Sequence, residues 1–288
     1  MPLRLFYSPC PNDTFIFYAW VHGLVPGAPR VQEVLEDIDT LNTRALRGEP
    51  EVAKVSFHAF SRLRPRYSLL HSGGAMGRGV GPLLVARGDS PLVEVAAAGD
   101  EALAAALARG TVAVPGALTT AALLVRLFAP AARRLVTMPF DRIMPAVAAG
   151  EVDSGAIIHE GRFTYSGHGL VRLTDLGEWW ERTTGGALPL GGIVVRRDLG
   201  AEAAESVDAA IRASLLFARC SPEATAGYIR RHAQEMDPEV CRQHIDLYVN
   251  DFSLDYGPEG ETAIRRLLEA ARGGGALTES LEGIFWDD

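Results

Sequence analysis

His159 closes the apolar run Ala156-Ile157-Ile158 and is followed at once by Glu160, Gly161 and Arg162. An imidazole titrates near pH ~6.5, so at neutrality it takes up and returns a proton as few side chains do. A general base at a strand end is one reading. An ordinary histidine at a strand terminus is the other, and on local sequence alone it is the commoner case. The balance shifts because the chain has a second place built the same way. Gly150-Glu151 precedes the strand that leads to His159, and Gly48-Glu49 precedes Val52-Ala53-Lys54-Val55-Ser56. Ser56 therefore stands at the position matched to His159. No Gly-x-Ser-x-Gly elbow surrounds Ser56, which assigns it to hydrogen bonding with a substrate and not to nucleophilic attack.

Thr119 and Thr120 sit where a helix begins after the strand Thr111 to Val114. Their hydroxyls, the nearby backbone N–H groups and the positive end of the helix dipole suit a carboxylate. Capping alone would account for one of the two. Lys54 lies among apolar neighbours near a strand end. Its ammonium either meets a substrate anion or snorkels from an edge strand, with comparable odds. Asn12, Asp13 and Thr14 read as binders of hydroxyls or as caps of the helix that follows. Arg78, Arg142 and Arg162 are further anion partners, weighted lightly because most arginines solvate surfaces. The seven histidines are scattered and no His-Glu-x-x-His run occurs, so no metal site is expected. The glycine-rich run Gly73 to Gly81 lacks the strand-to-helix setting of a dinucleotide fingerprint. Trp179-Trp180 reads as packing.

These residues need elements to carry them. Leu3 to Tyr7 is an apolar strand that breaks at Ser8-Pro9-Cys10-Pro11-Asn12-Asp13-Thr14 and resumes as the helical run Phe15 to Trp20. Thr111 to Val114 breaks at Pro115-Gly116-Ala117-Leu118-Thr119-Thr120 and resumes as Ala121 to Val125. Two α/β lobes with polar groups at matching strand ends imply a cleft between them, the usual place for a ligand in such folds. Pro82 to Ala86 reads as a strand leaving the first lobe, and Leu188 to Arg196 as the strand that returns to it. The first lobe is then discontinuous, residues 1–87 and 190–288, with the second lobe at 88–189, and two crossings make a hinge. Asn12 or Asp13, Asp39 and Asp141 are the expected helix caps. One Ala-rich helix is expected between Asp89 and Arg109, and helical patterns dominate from Ala201 to Arg272.

A chain of 288 residues has room for two such lobes, and its hydrophobic content of 48% with 22% charged residues fits a globular protein. The formal net charge of −8 argues against nonspecific nucleic-acid binding. Cys10, Cys220 and Cys241 show no Cys-x-x-Cys spacing, and their odd number disfavours a full disulfide framework. Cys10 reads as a small buried thiol. Met1 leads straight into a strand with no basic region, long apolar stretch and cleavage site, and no run is long enough to span a bilayer. The expectation is a cytoplasmic chain that does not insert into membranes and binds a small anionic molecule; a homodimer stays open.

The run Ser8 to Phe15, with Lys54-Val55-Ser56, Gly73-Gly74-Ala75, Thr119-Thr120, Ile158 to Tyr165 and Tyr248 to Ser253, resembles the 1,4-dihydroxy-6-naphthoate synthases of futalosine-route menaquinone biosynthesis. Several motifs occur in order along nearly the whole chain; the stretch from Val93 to Arg109 matches least well. The resemblance implies an α/β two-lobed type II periplasmic-binding-protein-like fold with a central cleft and C-terminal helices on the first lobe. It implies a carbon–carbon lyase that converts cyclic dehypoxanthinyl futalosine to 1,4-dihydroxy-6-naphthoate without a metal or redox cofactor. In that family the histidine matching His159 is the proton acceptor. The segments matching Lys54, Val55 and Ser56, and Thr119 and Thr120, contact substrate; Asn12 and Asp13 join them on the residue reading. Alternatives are a solute-binding protein for a small anionic ligand and a related chorismate dehydratase; a ligand-sensing regulatory domain ranks below both.

Overall fold

The computed structural model describes residues 1–233, 237–273 and 282–288. The chain divides into one unit of residues 1–77 with 189–288 and a second of residues 78–188. In chain order the first unit opens with β1 (Leu3–Tyr7), α1 (Pro11–Val21), β2 (Val31–Leu35), α2 (Ile38–Leu46), β3 (Val52–Ser56), α3 (Phe57–Leu63), β4 (Tyr67–Leu69) and β5 (Ala75–Gly77). The second holds β6 (Leu83–Arg87), α4 (Leu92–Ala97), α5 (Asp100–Leu107), β7 (Thr111–Val114), α6 (Thr120–Phe128), β8 (Arg134–Thr137), α7 (Phe140–Ala149), β9 (Ser154–Ile157), α8 (Gly161–Thr164), β10 (Leu170–Asp175) and α9 (Leu176–Thr184). The chain then returns through β11 (Leu188–Arg196) to α10 (Ala201–Cys220), α11 (Pro222–His232), α12 (Pro238–Tyr248), α13 (Asp251–Leu254) and α14 (Gly257–Gly273).

In the first unit the sheet order is β2-β1-β3-β11-β4, with β5 paired to β11. The first three strands run parallel, and β11 runs antiparallel to both β3 and β4. Every residue of β3 is buried, as a strand covered on both faces must be. Alternation puts Val52, Lys54 and Ser56 on one face and Ala53 and Val55 on the other. Helix α1 is almost wholly buried, and beyond its polar first turn it is apolar on all sides, which fits a helix enclosed by other elements. Its Ile16 and Phe17 join Leu5, Tyr7 and Ile193 of the sheet and Val207, Ile211 and Leu215 of α10 in one core.

Charged groups fasten the start of this sheet. Glu51 accepts from the Arg4 backbone N–H at 3.0 Å, from Arg4 Nε and Nη2 at 2.9 Å each, and from Arg196 Nη1 at 3.0 Å. The hydrogen bonds from Arg4 lower the Glu51 pKa to about 2.

The second unit has the sheet order β10-β6-β9-β7-β8. Here β7 runs parallel to β8 and β9, while β6 runs antiparallel to β9 and β10. The sequence pattern places residues 78–87 in the first lobe. They belong to the second unit because β6 hydrogen-bonds to strands on both sides there, Leu83 opposite Ile157 and Ala86 opposite Val171. The Ala-rich stretch forms two helices, α4 and α5, divided at Gly99, whose φ of 114° is a conformation that L side chains rarely adopt. Among the described residues no helix is long and apolar enough to cross a membrane.

Three expected caps shift. Helix α1 starts at Pro11, the residue favoured at a first helical position, with Cys10 as its N-cap. Asn12 and Asp13 therefore lie inside the first turn and do other work. Asp37 caps α2, accepting from the N–H groups of Asp39 and Thr40. Pro139 precedes α7, leaving Asp141 in its first turn.

Candidate functional site

In the first unit the polar residues collect after parallel neighbours β1 and β3. Asp13 is the hub. Its Oδ2 accepts from the Ser8 hydroxyl at 2.7 Å and the Ser8 N–H at 3.3 Å. Its Oδ1 accepts from Asn12 Nδ2 at 2.9 Å and pairs with Lys54 Nζ at 3.0 Å. Lys54 also donates to the Gly73 carbonyl at 3.1 Å. The side chains of Lys54 and Asp13 are only 5% and 1% exposed, so this is a buried ion pair. That overturns the edge-strand reading: β3 is flanked by β1 and β11, and the ammonium points inward to a carboxylate. Buried His244 of α12 extends the network, its Nε2 lying 2.9 Å from Asn12 Oδ1. Because Asn12 Nδ2 donates to Asp13, that Oδ1 faces the ring as an acceptor, and His244 Nε2 carries the hydrogen.

At the end of β3, Ser56 is held by Asn42 of α2. The Ser56 N–H donates to Asn42 Oδ1 at 2.9 Å, and Asn42 Nδ2 donates to Ser56 Oγ at 3.1 Å. Gly191 pairs with Ser56 and Gly192 with Val55 across the β3–β11 ladder. A Cβ at Gly191 would stand 2.9 Å from the Val55 carbonyl oxygen. The glycine keeps the two backbones close where β3 ends.

In the second unit the segments after parallel neighbours β7 and β9 carry the candidates. Thr119 caps α6: its hydroxyl accepts from the Ala122 N–H at 3.2 Å and donates to the Gly116 carbonyl at 2.8 Å. Both roles are internal to the turn. Thr120, the first residue of α6, is buried beside it.

His159 follows β9 by two residues. Among the described residues it is the sole non-glycine with positive φ, at 56°. A left-handed conformation strains an L residue by about 1–2 kcal/mol. The Phe140 ring meets the imidazole edge-on, with centroids 5.0 Å apart. Beyond it, Arg162 is occupied: it donates to the Gly81 carbonyl at 2.5 Å and pairs with Asp175 at 2.5 Å. Asp175 also caps α9 through the N–H groups of Gly177 and Glu178. Gly81 and Gly177 touch backbone to backbone, so a Cβ at Gly81 would lie 2.2 Å from the Gly177 nitrogen. Arg162 thus braces the turn that follows His159.

The structure therefore brings Asn12, Asp13 and Lys54 into one network, with Val55 and Ser56 at the end of the same strand. In the other unit it puts Thr119, Thr120 and His159 at the carboxyl ends of adjacent parallel strands. Three participants escape the sequence reading. Asn42 left a trace, as an amide on the apolar face with Leu41 and Ala45. Asp175 left one as well, since Asp-x-x-Glu is a cap signature. His244 left none.

This arrangement defines a class before it defines a member. Two units, each with a mixed sheet and polar groups beyond its parallel strands, make the fold of periplasmic binding proteins. The chain superposes on the aliphatic sulphonate binding protein SsuA of Escherichia coli with a TM-score of 0.64, covering 96% of this chain and 89% of that one at 10% identity. A solved protein from Archaeoglobus fulgidus matches with a TM-score of 0.85 at 35% identity, covering 96% and 98% of the two chains. Residues 3–273 match the family model described as menaquinone biosynthesis. The chain is 50% identical to the 1,4-dihydroxy-6-naphthoate synthase of Thermus thermophilus over 98% of both chains. It is 49% identical to the synthase of the same name from Streptomyces coelicolor, covering 96% of this chain and 94% of that one. The chain belongs to this family of menaquinone-biosynthesis enzymes.

Proposed function

We propose that this enzyme is a lyase that converts cyclic dehypoxanthinyl futalosine to 1,4-dihydroxy-6-naphthoate in the cytoplasm, with His159 as the proton acceptor. The observation that carries the role of His159 is its backbone. A histidine is kept in a left-handed conformation, immediately beyond a strand whose parallel neighbour leads to Thr119 and Thr120. Strain retained at one polar residue supports a function for that residue.

The chemistry fits those groups. The sugar-derived ring of the substrate must lose a proton, a carbon–carbon bond must break, and an aromatic diol must remain. Aromatisation drives the reaction forward. The protein's task is to hold a base at the right C–H and to stabilise charge developing on oxygen. In this reading neutral His159 takes the proton, Ser56 and nearby N–H groups hold an oxygen, and the start of α6 receives the carboxylate. Thr119 and Thr120 with the backbone N–H groups at that helix start are the groups that would anchor it. Buried Lys54 and Asp13 fix the shape of β3 and its neighbouring loop, and Asn12 ties that loop to α12.

His159→Asn tests the base, because asparagine tolerates left-handed backbone better than most residues. Naphthoate formation, followed by absorbance, should fall about 100- to 10,000-fold while thermal stability holds. Turnover near the parent rate would remove His159 from the mechanism.

A further inference from the structure

Ser56 and Asn42 exchange two hydrogen bonds, and their chemistry fixes the direction of both. The Ser56 backbone N–H can only donate, so the Asn42 atom 2.9 Å away is the carbonyl oxygen. The other end of the amide is then the NH2 group, which also only donates, and it lies 3.1 Å from Ser56 Oγ. Ser56 Oγ is the acceptor in that contact, and its own proton is not spent there. Asn42 and Ser56 are 1% and 3% exposed, so water does not compete freely for either group. Asp37 secures the start of α2, and β1 and β11 flank β3, so the pair rests on fixed elements.

We propose that Asn42 is a positioning residue that sets the hydrogen-bond polarity of Ser56, making this serine a donor toward a substrate oxygen. This rests on the reading that Ser56 contacts substrate. A serine hydroxyl left to itself rotates and offers either a proton or a lone pair. With the amide donating into its oxygen, the hydroxyl is oriented before substrate arrives. A donor arranged in advance suits an oxygen that gains negative charge during the reaction, and its contribution then appears chiefly in kcat.

The test is a double-mutant cycle on Asn42→Asp and Ser56→Ala, with kcat and KM measured for cyclic dehypoxanthinyl futalosine. An aspartate at position 42 has nearly the shape of asparagine and keeps both contacts, but it accepts the serine proton and so consumes the donor. Ser56→Ala should lower kcat about 100-fold with KM changed less than threefold. Asn42→Asp should lower kcat as far while the melting temperature stays within a few degrees of the parent. In the Ser56→Ala background Asn42→Asp should do nothing further, within about twofold. A second full drop there would assign the effect to charge and overturn the polarity role. So would an Asn42→Asp enzyme that keeps half its activity while Ser56→Ala is impaired. Parent-like turnover by Ser56→Ala is a different failure, since it removes Ser56 from the substrate site altogether. If Asn42→Asp does not fold, Asn42→Ala takes its place in the cycle: about tenfold loss alone, none beside Ser56→Ala, and additivity again overturns the proposal.

Discussion

The Lys54–Asp13 pair permits a quantitative prediction. Asp13→Asn preserves shape and removes one charge. The four contacts on this carboxylate are all donated to it, two at each oxygen. An amide has one accepting end. Turned one way, its NH2 group faces two obligatory donors, Asn12 and Lys54; turned the other, it faces the Ser8 N–H and the Ser8 hydroxyl, which can rotate to accept. In either orientation the Lys54 ammonium loses its charged partner and is left with neutral acceptors, the Gly73 carbonyl and at most the amide oxygen. Breaking a buried pair from one side costs about 3–5 kcal/mol. In a unit of this size that corresponds to a melting temperature lower by roughly 6–20 °C, measurable by calorimetry. Replacing both partners by apolar residues, Asp13→Leu with Lys54→Met, removes the stranded charge and should recover at least half of the loss. Activity should not recover, because β3 and the Ser8 loop lose their common anchor. A single variant melting within 2 °C of the parent, or a double variant less stable than either single one, would refute the reasoning.

Two further outcomes follow from other parts of the chain. Glu51 titrates near 2 in the folded protein against an ordinary 4.5, so the folded state binds fewer protons in that interval. Its stabilisation is complete above about pH 4.5 and is lost as pH falls through about 2. Glu51→Gln should cost on the order of 1–2 kcal/mol at pH 7 after solvent screening of the exposed Arg4 side, and flatten the acid limb of a stability–pH profile; an unchanged limb would exclude Glu51 as its source. Gly81→Ala puts a methyl group 2.2 Å from the Gly177 nitrogen, a backbone atom, and should destabilise the second unit by about 1–3 kcal/mol. Gly167→Ala, with nothing within 4 Å of the added carbon, serves as the calorimetric control and should change little.

The sequence discloses whatever is written locally or written twice. Apolar runs mark β1, β3, β7 and β11, and the repeated Gly-Glu-strand layout singles out Ser56 and His159 without reference to any neighbour. What it conceals depends on partners distant along the chain. Lys54 resembles a snorkelling residue until β11 arrives to cover β3 and Asp13 arrives from α1 to meet the ammonium. The sequence points to a later start for α1 because two strong capping residues follow Pro11, and nothing local reveals that Asp13 is committed to Ser8 and Lys54. Arg162 looks available for an anion because Gly81 and Asp175 are brought to it only by the pairing of β6 with β9 and β10. The strain at His159 is a backbone property with no counterpart in residue type.

The location of β11 also fixes an order of events during synthesis. On the ribosome, residues 1–77 emerge first, but β3 lacks its antiparallel neighbour until residue 188 and beyond have been translated. The inserted unit, contiguous in the chain, has every strand of its own sheet before then. It is the part that can mature first, while the earlier segment waits with an incomplete sheet and Lys54 on an open strand edge. A released chain ending at residue 188 should therefore resist protease in the insert and remain cleavable upstream. A charged residue on that waiting edge disfavours pairing with another chain's strand, so the same lysine that later lies buried also guards the unfinished sheet.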